Sequence, residues 1–72
     1  MTDKQIIFVY NQVIDLLMGI FDIDDATQVA DSIIDDVLTD IEETADPETW
    51  HSGDVQIALA RVLKSKIVQI DQ

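Results

Sequence analysis

The chain has 72 residues, no cysteine, and fifteen acidic against four basic side chains, for a formal charge of −11. That length allows one small domain near the lower limit for a self-sufficient core, and the lack of cysteine excludes disulfides and thiolate zinc sites. The charge disfavours nucleic acid and anionic membranes as direct partners, while the 47% apolar content argues against disorder.

The residue pattern predicts three helices and no strands, because no stretch sustains period-two alternation. The first helix is expected over residues 3–20, with Thr2 and Gln5 as a capping box. Ile6, Ile7, Val9, Tyr10, Val13, Ile14, Leu16, Leu17, Met18, Ile20 and Phe21 fill more than half of its circumference. Lys4, Asn11, Asp15 and Gly19 form the narrow polar stripe, and Phe8 falls inside it. A helix this apolar either wedges between two neighbours or carries a second interface. Phe8 and Tyr10 are therefore candidate apolar contacts, and a homodimer is one way to bury the surplus.

The second helix is expected over residues 25–44, capped by Asp24 or Asp25. Ala26, Val29, Ala30, Ile33, Ile34, Val37, Leu38 and Ile41 follow the i, i+3, i+4, i+7 pattern without a miss. The segment Ala45–Trp50 reads as a capped turn with Pro47 at its first position. The third helix is expected over residues 53–68, with Ser52 as its N-cap and Val55, Ala58, Leu59, Val62, Leu63 and Ile67 as its core stripe. Lys64 and Lys66 fall in its last turns, where they complement the helix dipole. Short connections between neighbours favour an all-α, up-down-up three-helix bundle, one domain over residues 1–72.

No targeting or membrane-spanning segment is expected. The apolar N-terminal stretch opens on Asp3 and Lys4, and its longest unbroken apolar run is Ile6–Tyr10. A reducing cytoplasm is the simplest compartment.

From Asp22 to Glu48 there are eleven acidic side chains and no basic one. At a rise of about 1.5 Å per residue this is one charge per roughly 4 Å, against one phosphate per about 3.4 Å along a strand of B-form DNA. Asp31 and Asp35 lie one turn apart on the second helix, and Asp36, Asp40 and Glu43 repeat that spacing on the adjacent edge. A solvated face would be served by mixed Glu–Lys pairs, which stabilise a helix by about 0.2–0.5 kcal/mol each. Here like charges adjoin. Asp31, Asp35, Asp36, Asp40, Glu42 and Glu43 are thus the candidate partner-binding residues, and the partner they fit is a basic, nucleic-acid-binding protein. Small acidic inhibitors of the phage and mobile-element kind act in this way, by charge mimicry. Arg61 and Lys64 share an outer edge of the third helix and are expected to pair with acids of the second.

Other chemistries find less support. Asp22-Ile23-Asp24-Asp25 has the opening of a calcium loop, but Ala26, Thr27 and Ile33 occupy positions five, six and twelve, where an oxygen ligand, glycine and glutamate are needed. No metal or cofactor is expected. His51, the lone histidine, adjoins Ser52, but no triad-like constellation forms around a serine already explained as a cap, and no enzymatic activity is expected. Asp31-Ser32-Ile33 is similar to the Asp-Ser-Leu motif of acyl carrier proteins, which are small acidic helical domains with a modified serine at the start of their second helix. That resemblance covers three residues together with size and charge, and it implies a carrier role with Ser32 as the attachment point. Val29-Ala30 stands where a glycine would precede the family motif, and Ser32 falls inside the expected second helix. The remaining alternative is a structural or adaptor module that works through the apolar face of the first helix.

Overall fold

The computed structural model describes residues 2–70, with side chains described as far as Lys66. Its elements are α1 (Asp3–Leu17), α2 (Ile23–Thr44), a single 3₁₀ turn (Pro47–Thr49) and α3 (Ser52–Ile70). The three α-helices pack against one another in all three pairings, forming an all-α three-helix bundle.

Local chemistry sets where each helix starts. Thr2 has extended backbone and accepts from the Gln5 amide, while the Gln5 side chain accepts from the Thr2 amide. This is the expected capping box. α2 starts two residues earlier than the sequence pattern suggests. Its N-cap is Asp22, whose carboxylate accepts from the Asp25 amide at 2.9 Å. Asp24 and Asp25 therefore stand in the first turn, where the positive end of the helix dipole favours them, and neither is the cap. α3 likewise starts one residue early. Ser52 is its first helical residue, and His51 takes the cap position. The His51 carbonyl accepts from the Asp54 and Val55 amides, its own amide donates to the Asp54 carboxylate, and its imidazole Nδ1 accepts from the Gly53 amide. A Cβ on residue 53 would lie 2.9 Å from that ring, so a larger residue there would make the imidazole shift.

The helix ends differ from expectation as well. α1 stops at Leu17, and Met18–Phe21 continue as turns whose amides return to Ile14, Leu16 and Leu17. α3 runs to Ile70, so its last turn holds no basic residue, and Lys64 and Lys66 lie too far back to act on its terminus. Between α2 and α3, Pro47 opens the 3₁₀ turn under an Asp46 cap, as the sequence suggests. The Trp50 indole closes this connection by donating to the Ala45 carbonyl at 3.2 Å.

The core is Val9, Val13 and Leu17 of α1, Ala26, Ala30, Ile33, Val37 and Ile41 of α2, and Val55, Ala58, Leu59 and Val62 of α3. Each set follows the helical period, and the three alanines let the helices approach closely. Val29, Ile34, Leu38 and Leu63 are half-buried at the flanks, while the Ile67 side chain lies outside the described residues. No buried polar side chain occurs among the described residues. α3 runs antiparallel to α2, since Arg61 meets Asp40 and Lys66 meets Asp36. Among the described residues no helix is long and apolar enough to cross a membrane.

Candidate functional site

α2 is the longest helix, at 22 residues, and eight of those are acidic. Burying the Ala26–Ile41 stripe forces the polar half outward, so the acidic surface follows directly from the core. On a projection at about 100° per residue, Asp24, Asp31, Asp35 and Glu42 form the outer crest, and Asp25, Asp36 and Glu43 form a second row about a quarter-turn away. Asp24 belongs to this crest although its line was obscured in the sequence by the placement of the helix start.

The six candidate acids have unequal roles. Asp31 accepts the Tyr10 hydroxyl at 2.5 Å, which ties α2 to α1. This bond holds the Tyr10 proton and raises its pKa, with burial and the negative charge of Asp31 adding to the shift. Asp40 receives Arg61, whose Nε lies 3.0 and 3.1 Å from the two carboxylate oxygens and whose terminal nitrogen also reaches the Thr44 hydroxyl. Asp36 pairs with Lys66 at 3.1 Å. Asp35, Glu42 and Glu43 are exposed and have no cationic partner among the described residues.

Arg61 thus pairs with α2 as expected, but its companion is Lys66 rather than Lys64. Val62 and Ser65 face α2 across a shallow groove of about 260 Å³ that Asp36, Asp40, Arg61 and Lys66 also line. Arg61 and Lys66 flank that line by roughly 70° on either side, whereas Lys64 falls roughly 130° away. The groove is smaller than the roughly 300–1,000 Å³ of ordinary ligand pockets, and its charges are already matched.

Phe8 and Tyr10 are half-buried against the core, even though Phe8 lies on the predicted polar stripe. Among the described residues the large apolar side chains left in solvent are elsewhere: Leu16, Met18, Ile20, Phe21 and Ile23 at the α1–α2 turn, with Ile7 and Ile57 apart from them. The sequence pattern placed Leu16, Met18, Ile20 and Phe21 on the apolar circumference of a longer first helix, either wedged between neighbours or carrying a second interface. Because α1 ends at Leu17, the chain leaves the core there and carries these residues out.

Among the described residues, no three His, Cys, Asp or Glu side chains converge as a metal site. Ser32 is the tenth residue of α2, and its hydroxyl donates to the Val29 carbonyl. It stands in mid-helix, whereas the acyl-carrier resemblance would place it at a helix start. Comparison with protein-family models, curated proteins and solved structures gave no match.

Proposed function

We propose that this chain is a small acidic protein-binding module, acting in the cytoplasm, that occupies the basic groove of a nucleic-acid-binding protein and blocks it by charge mimicry. The observation that carries this reading is the C-terminal end of α2. Glu42 and Glu43 stand in its last turn, beside the negative end of the helix dipole, with no basic residue in that turn. An acid so placed costs about 0.3–1 kcal/mol at low ionic strength, and Glu43 also lies one turn from Asp40. Arg61 offsets Asp40, but among the described residues no cation pairs with these two. A charge held against local preference without a structural return is the signature of a binding surface.

The internal pairs shape the mechanism. All eight acids of α2 amount to one charge per roughly 4 Å of helix, but the five without a partner among the described residues give only one per roughly 7 Å. Phosphate-like density therefore requires Asp31, Asp36 and Asp40 to exchange Tyr10, Lys66 and Arg61 for groups of the target. Exposed ion pairs are worth about 0–1 kcal/mol, so the exchange is inexpensive.

The test is capture from the source organism's lysate at low and moderate salt. The proposal expects a basic nucleic-acid-binding protein that salt releases and that added duplex displaces. Reversing Asp35, Asp36, Glu42 and Glu43 to lysine should abolish its capture. A partner that ignores salt and survives the reversal refutes the mimic. That outcome would favour the second reading, an adaptor or self-associating module, which the exposed apolar residues of the α1–α2 turn support.

A further inference from the structure

Among the described residues, five of the seven exposed large hydrophobic residues fall within the eight positions Leu16–Ile23. Ile20 is 75% exposed, Ile23 52% and Met18 48%, with Phe21 and Leu16 somewhat less. The segment is the end of α1, its turn and the first residue of α2, so the patch caps one end of the bundle. The largest apolar patch on a typical monomer, of about 300–600 Å², is often functional. A connection between helices is ordinarily polar, so five large apolar groups here are not explained by folding.

The surroundings identify the occupant. Asp22, Asp24 and Asp25 lie at the edge of the patch, and Asp24 continues into the crest of Asp35 and Glu42. A second copy would bring six such carboxylates around one apolar centre, between two chains of −11 each. A partner with apolar side chains ringed by Lys or Arg would pair them instead. An apolar centre with a charged rim is the ordinary anatomy of a protein interface.

We propose that the Leu16–Ile23 tip is the anchoring half of a two-part interface, which docks an apolar segment of a basic partner while the outer face of α2 engages that partner's cationic surface. This rests on the reading of α2 as partner-binding. Ile23 and Glu42 are separated by roughly 28 Å of helix, so one partner can span both. Charge sets the encounter rate and the tip sets the lifetime of the complex.

The experiment titrates the isotopically labelled full chain by NMR with two probes of equal charge, an oligolysine and an amphipathic helical peptide of leucine, phenylalanine and lysine. The amphipathic peptide should shift the amides of Leu16–Ile23 and keep part of its affinity at about 1 M salt, where charges are screened beyond about 3 Å. The oligolysine should shift only the α2 crest and lose its affinity there. The charge-neutral variant Ile20→Ser/Ile23→Ser alters two exposed positions and should weaken the amphipathic peptide by about tenfold or more while leaving oligolysine unchanged. Unchanged peptide affinity in a variant with native circular dichroism would overturn the proposal. So would a wild-type dimer in sedimentation that this variant converts to monomer. If oligolysine fails to bind at all, the charge-mimic reading fails, and the Ile20→Ser/Ile23→Ser comparison still judges the tip.

Discussion

Arg61 and Asp40 form one ion pair, yet removing either partner should have unequal effects. The guanidinium engages both carboxylate oxygens and the Thr44 hydroxyl, with the two side chains 47% and 25% exposed. A well-aligned surface pair of this kind is worth up to about 1 kcal/mol. Arg61→Ala removes it and moves the net charge from −11 to −12. It also leaves Asp40 facing Asp36 and Glu43, one turn to either side, at about 0.2–0.5 kcal/mol for each like-charge neighbour. The expected cost is about 1–2 kcal/mol, a large share of the roughly 3–5 kcal/mol available to a domain this small. Asp40→Asn keeps a hydrogen-bond acceptor, moves the net charge to −10, and relieves the same two repulsions, so it should fall within about 0.5 kcal/mol of the parent. Urea unfolding followed by far-UV circular dichroism measures both, at about 0.01 M and about 1 M salt, where the Debye length falls from about 30 to about 3 Å. The gap between the variants should narrow at high salt, and the parent itself should become more stable. Equal costs at low salt would show that loss of the pair itself, and not the balance of like charges around it, sets the effect, and a gap indifferent to salt would show that Arg61 acts through packing of its stem.

Three further outcomes follow from the same structure. Ile41→Ala, at a fully buried position, should cost about 2–5 kcal/mol, comparable with the roughly 3–5 kcal/mol available to the domain, and should lower the urea midpoint sharply or abolish the folded baseline in circular dichroism. Asp22→Ala should lower stability by about 0.5–2 kcal/mol through loss of the α2 cap, whereas Asp24→Ala and Asp25→Ala should each cost less than Asp22→Ala, and equal losses in urea unfolding would contradict the assignment of the cap. Tyr10 is the only tyrosine, so tyrosinate absorbance should titrate above the ordinary value of 10.0 and return toward it in Asp31→Asn. The sign for stability follows: because the folded pKa is raised, the Tyr10 contribution is fully present below pH 10.0 and is lost as pH climbs through the folded value.

The interior of this protein was legible in the sequence and its edges were not. Ala26, Ala30, Ile33, Val37 and Ile41 are buried where the 3.6-residue period places them, because nothing competes with burial for that stripe. Helix starts shifted by one or two residues because Asp22 and His51 displaced the expected capping residues. Several oxygen or nitrogen acceptors stand within reach of each helix start, and only three-dimensional geometry selects one. α1 misled more seriously. Its apolar pattern continues past Leu17 into Met18, Ile20 and Phe21, and periodicity alone does not separate a buried helical face from an exposed apolar turn. The acidic character of α2 was plain from composition. Which of its acids are tied internally depended on how α1 and α3 lie against it, and so could not be read from one helix at a time.

The division of labour within α2 also links binding to stability. Its packing comes from one apolar stripe, while the other face stores repulsion that, among the described residues, Arg61, Lys66 and the Tyr10 hydroxyl relieve. A cationic partner that engages Asp35, Glu42 and Glu43 removes the part of that repulsion the bundle cannot offset by itself. Such a partner binds the folded helix in preference to the unfolded chain, where the same acids are spread apart. Its binding therefore adds stability, by about 2.7 kcal/mol when present at a hundredfold excess over its dissociation constant. For a domain of this size that is comparable with the stability of the free fold. The face of α2 that stores like-charge repulsion is thus the face through which a basic target would reinforce the bundle.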